Sequence, residues 1–217
     1  MNIVFYHSGT ADELVEIFTE SVKISNPNSI LIQISDQTTP PVKYIDKIIR
    51  FAPDERGILL ARVFAFSNFE SNSPTWFLDT DMIVKERLPI LERSAICRRQ
   101  LGKDHIFNHS FCGNDFSEYR NMELDEVYPI LACASYSFGE NIWKRISEYS
   151  KFVNSKFFNW FYDQELLRHF YFNETNYTLL FESEYACLPE YPQYFSAAKI
   201  LHFKGRARKS TMREIWQ

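Results

Sequence analysis

Glycine is scarce in this chain, six residues in 217, and the nine prolines are too few to make up the difference, so collagen-like and linker-dominated architectures are excluded. Long apolar runs are missing too: the stretch 128–138 is too short for a membrane span and carries Ser and Tyr. The apolar start of the chain is broken at His7 and Ser8 and has no basic region before it, so no secretory leader is expected. The four cysteines, Cys97, Cys112, Cys133 and Cys187, contain no CxxC or CxxxC pair. They read as reduced thiols of a cytoplasmic protein, not as a disulfide framework or a zinc site. Without a leader, the sequons at Asn108, Asn173 and Asn176 carry no meaning. What is present is a 45% hydrophobic chain with 20 Phe and 12 Tyr, far too apolar for disorder. Its length suits one compact domain over residues 1–217, with a sizeable core; two full domains would be tight.

The formal charge is −4, from 24 Lys and Arg against 28 Asp and Glu. That small value hides a segregation. Residues 191–213 contain no acid and six bases: Lys199, Lys204, Arg206, Arg208, Lys209 and Arg213. Setting those six aside leaves 18 bases against 28 acids in the rest of the chain. A basic loop or tail over 204–217 on an acidic body suggests a local anionic partner, usually phosphate on a nucleotide, a nucleic acid or a lipid headgroup. A solvated tail fits the composition equally well.

Hydrophobic patterning predicts an α/β fold. Residues 2–7 read as a buried strand, followed by a helix with Thr10 as N-cap and Glu13 at the capping-box position. Strands follow at 29–34 and 47–51, a helix at 55–70, and a strand over 75–84. Further strands are expected at 94–98, 128–138 and 199–203, helices at 141–152 and 163–172, and a loop over 107–121. Strands alternating with helices, and strand runs that are apolar throughout, point to one sheet covered on both faces. Such sheets bind ligands at the carboxyl ends of their strands.

Two motifs sit where that rule looks. Asp79-Thr80-Asp81 follows the apolar run Trp76-Phe77-Leu78. On a regular strand two acids at i and i+2 share a face; where the strand ends and bends they can share a hard cation, with a diphosphate completing its shell. His202 ends the last predicted strand, followed by Gly205 and then Arg206, Arg208 and Lys209. Glycine lets backbone approach phosphate, and the bases neutralise it. Each element has a plainer reading, two solvated acids or a core histidine, but together they form a coherent site for a metal-bound diphosphate.

The run Trp76 to Val84 resembles the DxD strand of GT-A fold glycosyltransferases. Ala61-Arg62-Val63-Phe64 is similar to the Arg-bearing helix that precedes this motif in glycosyltransferase family 8. Asp163-Gln164-Glu165 resembles that family's Asp-Gln-Asp element, and His202-Phe203-Lys204-Gly205 its C-terminal His-x-x-Gly-x-x-Lys-Pro-Trp. The marks occur in the family's order over nearly the whole chain. The resemblance implies a Rossmann-related mixed sheet flanked by helices and a retaining transferase that uses a nucleoside-diphosphate sugar, with uridine diphosphate favoured. Asp79, Asp81 and His202 would hold Mn²⁺ or Mg²⁺; Tyr6 and His7 would lie beside the nucleoside; Arg62 would contact the donor. Gly205 with Arg208 or Lys209 would clasp the phosphates, and Asp163 and Gln164 would lie near the anomeric carbon. The family's Lys position is Arg208 here, with Lys209 beside it and Ser210-Thr211 in place of Pro-Trp. The acceptor, whether carbohydrate, lipid-linked or protein, stays open. A peripheral membrane contact is allowed for, and no nucleic acid is expected. Two rivals remain: a haloacid-dehalogenase-type phosphatase, in which the first Asp of Asp-x-Asp is a nucleophile, and a non-catalytic nucleotide- or nucleic-acid-binding domain using the aromatic segment 152–162 with the basic tail.

Overall fold

The computed structural model describes the chain apart from residues 11, 53–56, 111–114, 159–160 and 217. Cys112 and the expected start of the second helix at Glu55 therefore lie outside the described residues. Nine strands are described: β1 (Asn2–Tyr6), β2 (Ile30–Ser35), β3 (Lys47–Arg50), β4 (Thr75–Leu78), β5 (Met82–Val84), β6 (Ala95–Arg98), β7 (Ile130–Ser137), β8 (Thr178–Phe181) and β9 (Ile200–His202). The α-helices are α1 (Glu13–Ser25), α2 (Ile58–Ser67), α3 (Leu124–Val127), α4 (Ile142–Ser147), α5 (Tyr162–Asn173), α6 (Glu182–Tyr185) and α7 (Arg206–Trp216). No helix of the described residues is long and apolar enough to cross a membrane.

Seven strands form one mixed sheet in the order β3-β2-β1-β4-β7-β6-β8, and β5 and β9 form a separate antiparallel pair. The first four strands of that order run parallel, β7 is antiparallel to both β4 and β6, and β8 is parallel to β6. Side-chain alternation explains the unbroken apolar strands. Ile3, Phe5, Trp76 and Leu78 enter one core with α1, the β5–β9 pair and Met212 of α7, whereas Val4, Tyr6 and Phe77 enter a second core with α2, α4 and α5. Both faces are covered, so every position of β1, β4 and β7 is buried. Fully burying a large apolar side chain contributes about 1.5–3 kcal/mol, which makes residues such as Trp76, Phe77 and Phe5 the anchors of the strand ends that carry the site.

Three sequence expectations are corrected. The strand expected over 75–84 is two strands in different sheets. Asp79 N–H donates to Cys133 O at 2.9 Å as the last bond of the main ladder, after which the chain bends and β5 pairs with β9. The first helix is capped by Asp12, not Thr10: the Asp12 carboxylate accepts from Leu14 and Val15 N–H at 3.1 Å each. That satisfies two of the orphan donors of the first turn at once. The basic tail is no tail but helix α7. Its Met212 is buried in the first core, Trp216 Nε1 donates to Glu20 at 3.1 Å, and Arg213 pairs with Glu13 at 2.6 Å, so the acidic face of α1 meets the basic helix. The described residues of 107–121 are irregular as expected, with a 3₁₀ turn at Ser117–Tyr119. β8, α3 and α6 were not anticipated.

Candidate metal and donor site

β4 delivers Asp79 to the carboxyl edge of the sheet, and the bend after it carries Asp81 to the mouth of β5. The β5–β9 register sets Met82 opposite His202, and Phe203 N–H donates to Asp81 O at 2.8 Å, closing the pair beside the bend. Asp81 and His202, far apart in sequence, are thereby held side by side by the backbone hydrogen bonds of their neighbours. Asp79, Asp81 and His202 each offer a ligand atom, and these atoms lie within 4.8 Å of one another. His202 Nε2 stands 3.5 Å from Asp81 Oδ1. The imidazole is 3% exposed, and its Nδ1 is buried with no hydrogen-bond partner among the described residues. Two carboxylates and an imidazole whose Nε2 faces Asp81 and whose Nδ1 has no partner among the described residues suit a hard or borderline divalent cation such as Mg²⁺ or Mn²⁺.

The second layer of the site is a buried arginine. Arg62, on α2, forks between Asp79 and Asp163, one guanidinium nitrogen to each. Its side chain is 12% exposed and that of Asp163 5%, so the bridge is nearly dry. Burial works against the guanidinium's charge, but Asp79 and Asp163 outweigh it and hold Arg62 firmly protonated. Burial pushes the Asp79 carboxyl up, Arg62 pulls it back, and the neighbouring Asp81 carboxylate pushes it up again. Asp81 moves the other way: burial is outweighed by the His202 hydrogen bond and by the charges of His202 and Lys209, which hold it well below the usual carboxylate range. The two acids of the motif thus differ in environment, one shared with an internal arginine and one set between His202 and Lys209.

Gly205 joins β9 to α7 at φ +86°, a left-handed turn where a Cβ is disfavoured. Successive residues of a helix diverge by about 100°, and α7 uses this to separate the two candidate clamps. Arg208 turns to Glu190 and donates to Lys204 O at 2.9 Å, away from the acids. Lys209 Nζ lies 3.7 Å from Asp81 Oδ2. Arg208, at the spacing of the family's lysine, is therefore not brought to the cluster, whereas Lys209 is. Burial of the Lys204 ammonium end and the nearby Arg99 lower its pKa, against Cys133, Asp163 and Asp79.

Asp163 and Gln164 open α5. Asp163 Oδ1 accepts from Gln164 N–H at 2.8 Å while the other oxygen meets Arg62. In the amide orientation that satisfies both ends, Gln164 donates to Ile130 O at 2.9 Å and accepts from Ala132 N–H at 3.2 Å, so it braces α5 against β7. Tyr6 ends β1 and His7 follows it, and since β1 runs parallel beside β4 they lie on the same sheet edge as Asp79. Burial lowers the His7 pKa against Asp12 and the Thr10 backbone, and His7 Nε2 is a second buried nitrogen without a partner among the described residues. Ser8 donates to Asp36, whose carboxylate also accepts from Thr38 and Thr39, tying the loops after β1 and β2 together.

Sequence reasoning missed a polar frame behind these residues. Glu165, 2% exposed, accepts from Tyr119 Oη at 2.9 Å and Tyr128 Oη at 2.7 Å. Phe161 begins α5 in the left-handed region at φ +68° and stacks on Tyr128 with ring centroids 5.2 Å apart. Glu182 caps Gln100 and Leu101 N–H at 2.6 Å each, and Arg99 Nε donates to Tyr128 O at 2.8 Å. Burial raises the Cys97 and Cys133 thiols well above their ordinary pKa, so neither is a ready nucleophile. None of these groups belongs to a spacing motif, and only Glu165 carried a signal, as third member of Asp-Gln-Glu.

Comparison with known proteins adds a fold. No family model matches the chain, and no curated protein matches it. Among solved structures it is similar to the glycosyltransferase GlyE of Streptococcus pneumoniae TIGR4, with a TM-score of 0.54 at 14% identity over 99% of this chain. It is also similar to a glycosyltransferase involved in glycosylation of the major capsid of PBCV-1, with a TM-score of 0.59 at 14% identity over 98% of both chains. The chain spans 60% of the length of GlyE. The mixed α/β architecture is thus one used by glycosyltransferases.

Proposed function

We propose that this protein is a glycosyltransferase that moves a sugar from a nucleoside-diphosphate donor, with uridine diphosphate favoured, to an acceptor hydroxyl with retention of anomeric configuration. The observation that carries the reading is the convergence of Asp79, Asp81 and His202 at the strand ends of a glycosyltransferase-type sheet. In this reading those three residues hold Mn²⁺ or Mg²⁺, and the cation supplies charge stabilisation to the departing diphosphate. The motif resemblance to family 8 supports the same assignment.

The remaining residues then have definite tasks. Tyr6 and His7 line the nucleoside end of the cleft, where the unpartnered His7 Nε2 offers a hydrogen bond to a base or ribose. Gly205 lets backbone approach the phosphates, and Lys209 supplies a fixed-sign charge beside them. The bond from the anomeric carbon to the diphosphate breaks with its electron pair going to the phosphate oxygen. The acceptor oxygen forms the new bond on the same face, and its proton passes to the phosphate oxygen that has just been released. Asp163, oriented by its ion pair with Arg62, is in this reading the group that faces the anomeric carbon as that carbon gains positive character. Gln164 positions that helix start by gripping β7.

The rivals fare worse on geometry. Asp79 ends the fourth strand and is ion-paired to an internal arginine, an unsuitable state for a phosphatase nucleophile. Three of the bases proposed to meet nucleic acid, Arg213, Arg208 and Lys209, face Glu13, Glu190 and Asp81 instead. A screen of nucleotide sugars for Mn²⁺-dependent release of nucleoside diphosphate tests the reading: turnover of at least one uridine diphosphate sugar, abolished by chelation, is expected. Hydrolysis of a generic phosphomonoester with no turnover of any nucleotide sugar would reject it.

A further inference from the structure

We propose that Lys209 is an exchangeable counter-ion: its ammonium neutralises Asp81 while the acid cluster holds no divalent cation, and it swings to the donor's diphosphate when the cation enters. Metal and diphosphate then bind cooperatively through this one side chain. The inference rests on the donor reading above and adds a coupling to it.

Among the described residues, Arg62 and Lys209 form ion pairs with the Asp-Thr-Asp motif, and the structure makes them unequal. Arg62 is forked between Asp79 and Asp163 with 12% of its side chain exposed; leaving would strand two buried carboxylates. Lys209 sits 3.7 Å from Asp81 Oδ2, beyond hydrogen-bond distance, and 44% of its side chain is exposed. It loses little by leaving. The backbone that carries it is anchored independently, through buried Met212, the Arg213–Glu13 pair and the Trp216–Glu20 hydrogen bond. Only the flexible four-carbon stem need move, and a lysine ammonium is a point charge that can change partners without the directional fork an arginine requires.

The direction of exchange follows from charge. A divalent cation bound to Asp81 places two positive charges near the ammonium and removes the negative charge that held it, so the Lys209–Asp81 contact turns from attractive to repulsive. A nucleoside diphosphate beside the cation offers the nearest alternative anion. Each ligand thus pays less for the lysine's movement when the other is present, and linkage makes the effect reciprocal. Arg208, turned to Glu190 and the Lys204 carbonyl, has no part in the exchange.

Isothermal titration calorimetry with Mn²⁺ alone, and with uridine diphosphate in the absence and presence of saturating Mn²⁺, reads the coupling directly. Lys209→Met keeps a helix-forming residue at a half-exposed position, so the fold is retained. It is expected to bind Mn²⁺ alone about five- to tenfold more tightly than the native chain, and to lose about fivefold or more of the Mn²⁺-dependent gain in uridine diphosphate affinity. Lys209→Arg, which keeps the charge, is expected to retain most of that gain. Unchanged or weaker Mn²⁺ binding in Lys209→Met, an undiminished gain, or the same two changes in Arg208→Met instead would overturn the exchange while leaving the metal site in place. Failure of the native chain to bind Mn²⁺ at all would overturn both the exchange and the function from which it proceeds.

Discussion

Replacing Arg62 by Met removes the shared counter-ion of two carboxylates while keeping a long helix-forming side chain on α2. Asp163 is 5% exposed in its side chain and Asp79 21%, so neither can recover its hydration without opening the site. Removing one partner of a buried pair costs about 3–5 kcal/mol, because the remaining charge is uncompensated. In a chain of this size 1 kcal/mol lowers the thermal midpoint by about 2–4 °C, so a fall of roughly 6–20 °C is expected near pH 7.5. The pH dependence has a definite sign. Burial already raises Asp79, and loss of Arg62 removes the charge that pulls it back, so Asp79 rises further above its unfolded value. A carboxyl raised in the folded state loses stability as pH rises from its unfolded to its folded pKa, and regains it as pH falls through the same window. The deficit should therefore shrink between pH 7.5 and 5. Mn²⁺ should restore part of it, by supplying positive charge to Asp79. Differential scanning fluorimetry across pH, with and without Mn²⁺, measures all three effects. A drop smaller than about 2 °C, or a larger one that is flat with pH, would refute the role of Arg62 as the internal counter-ion.

Asp81→Asn is expected to abolish Mn²⁺-dependent turnover of the donor with only a small fall in the thermal midpoint, since losing its attraction to His202 and Lys209 is partly offset by relief of the Asp79 carboxylate beside it; marked unfolding would make the acid structural. Tyr128→Phe takes one of two hydroxyl donors from the buried Glu165 carboxylate and should destabilise the chain by about 1–3 kcal/mol in chemical denaturation, with the Tyr119→Phe, Tyr128→Phe pair costing more than either alone. Gly205→Ala puts a Cβ where φ is +86°; nothing lies within 4 Å of that Cβ, so the cost is backbone strain alone, of order 1 kcal/mol, read as a small fall in the midpoint with weaker nucleoside diphosphate binding as α7 shifts.

The parts of the site that could be read from sequence are those whose chemistry is local. Trp76-Phe77-Leu78 before Asp79 marks a buried strand end because three large apolar residues in a row need cover on both faces, and the same holds for Ile200-Leu201 before His202. Their meeting was an inference from topology, and the β5–β9 register is what realises it. What could not be read is what depends on partners far along the chain. Residues 204–217 resemble a repelling tail only if their charges are counted among themselves; set against Glu13, Glu20, Glu190 and Asp81 they are complementary, and Met212 and Trp216, one turn apart, are the overlooked apolar anchors. Arg62 and Asp163 were each named from the family resemblance, but nothing in their spacing of 101 residues indicates that one guanidinium joins Asp163 to Asp79. The short β8, with one buried position in four, is an edge strand too weakly patterned to register, and its pairing partner β6 precedes it by some eighty residues.

The account stands most directly on where a divalent cation goes. Crystals of the native chain grown with Mn²⁺ and uridine diphosphate, with diffraction measured at the manganese absorption edge, locate it without reference to activity. The account predicts a single strong anomalous peak bonded to Asp79, Asp81 and His202, in contact with the diphosphate, with the Lys209 ammonium turned from Asp81 to a phosphate oxygen. Manganese absent from that cluster, or bound there with the nucleotide elsewhere on the molecule, would contradict it.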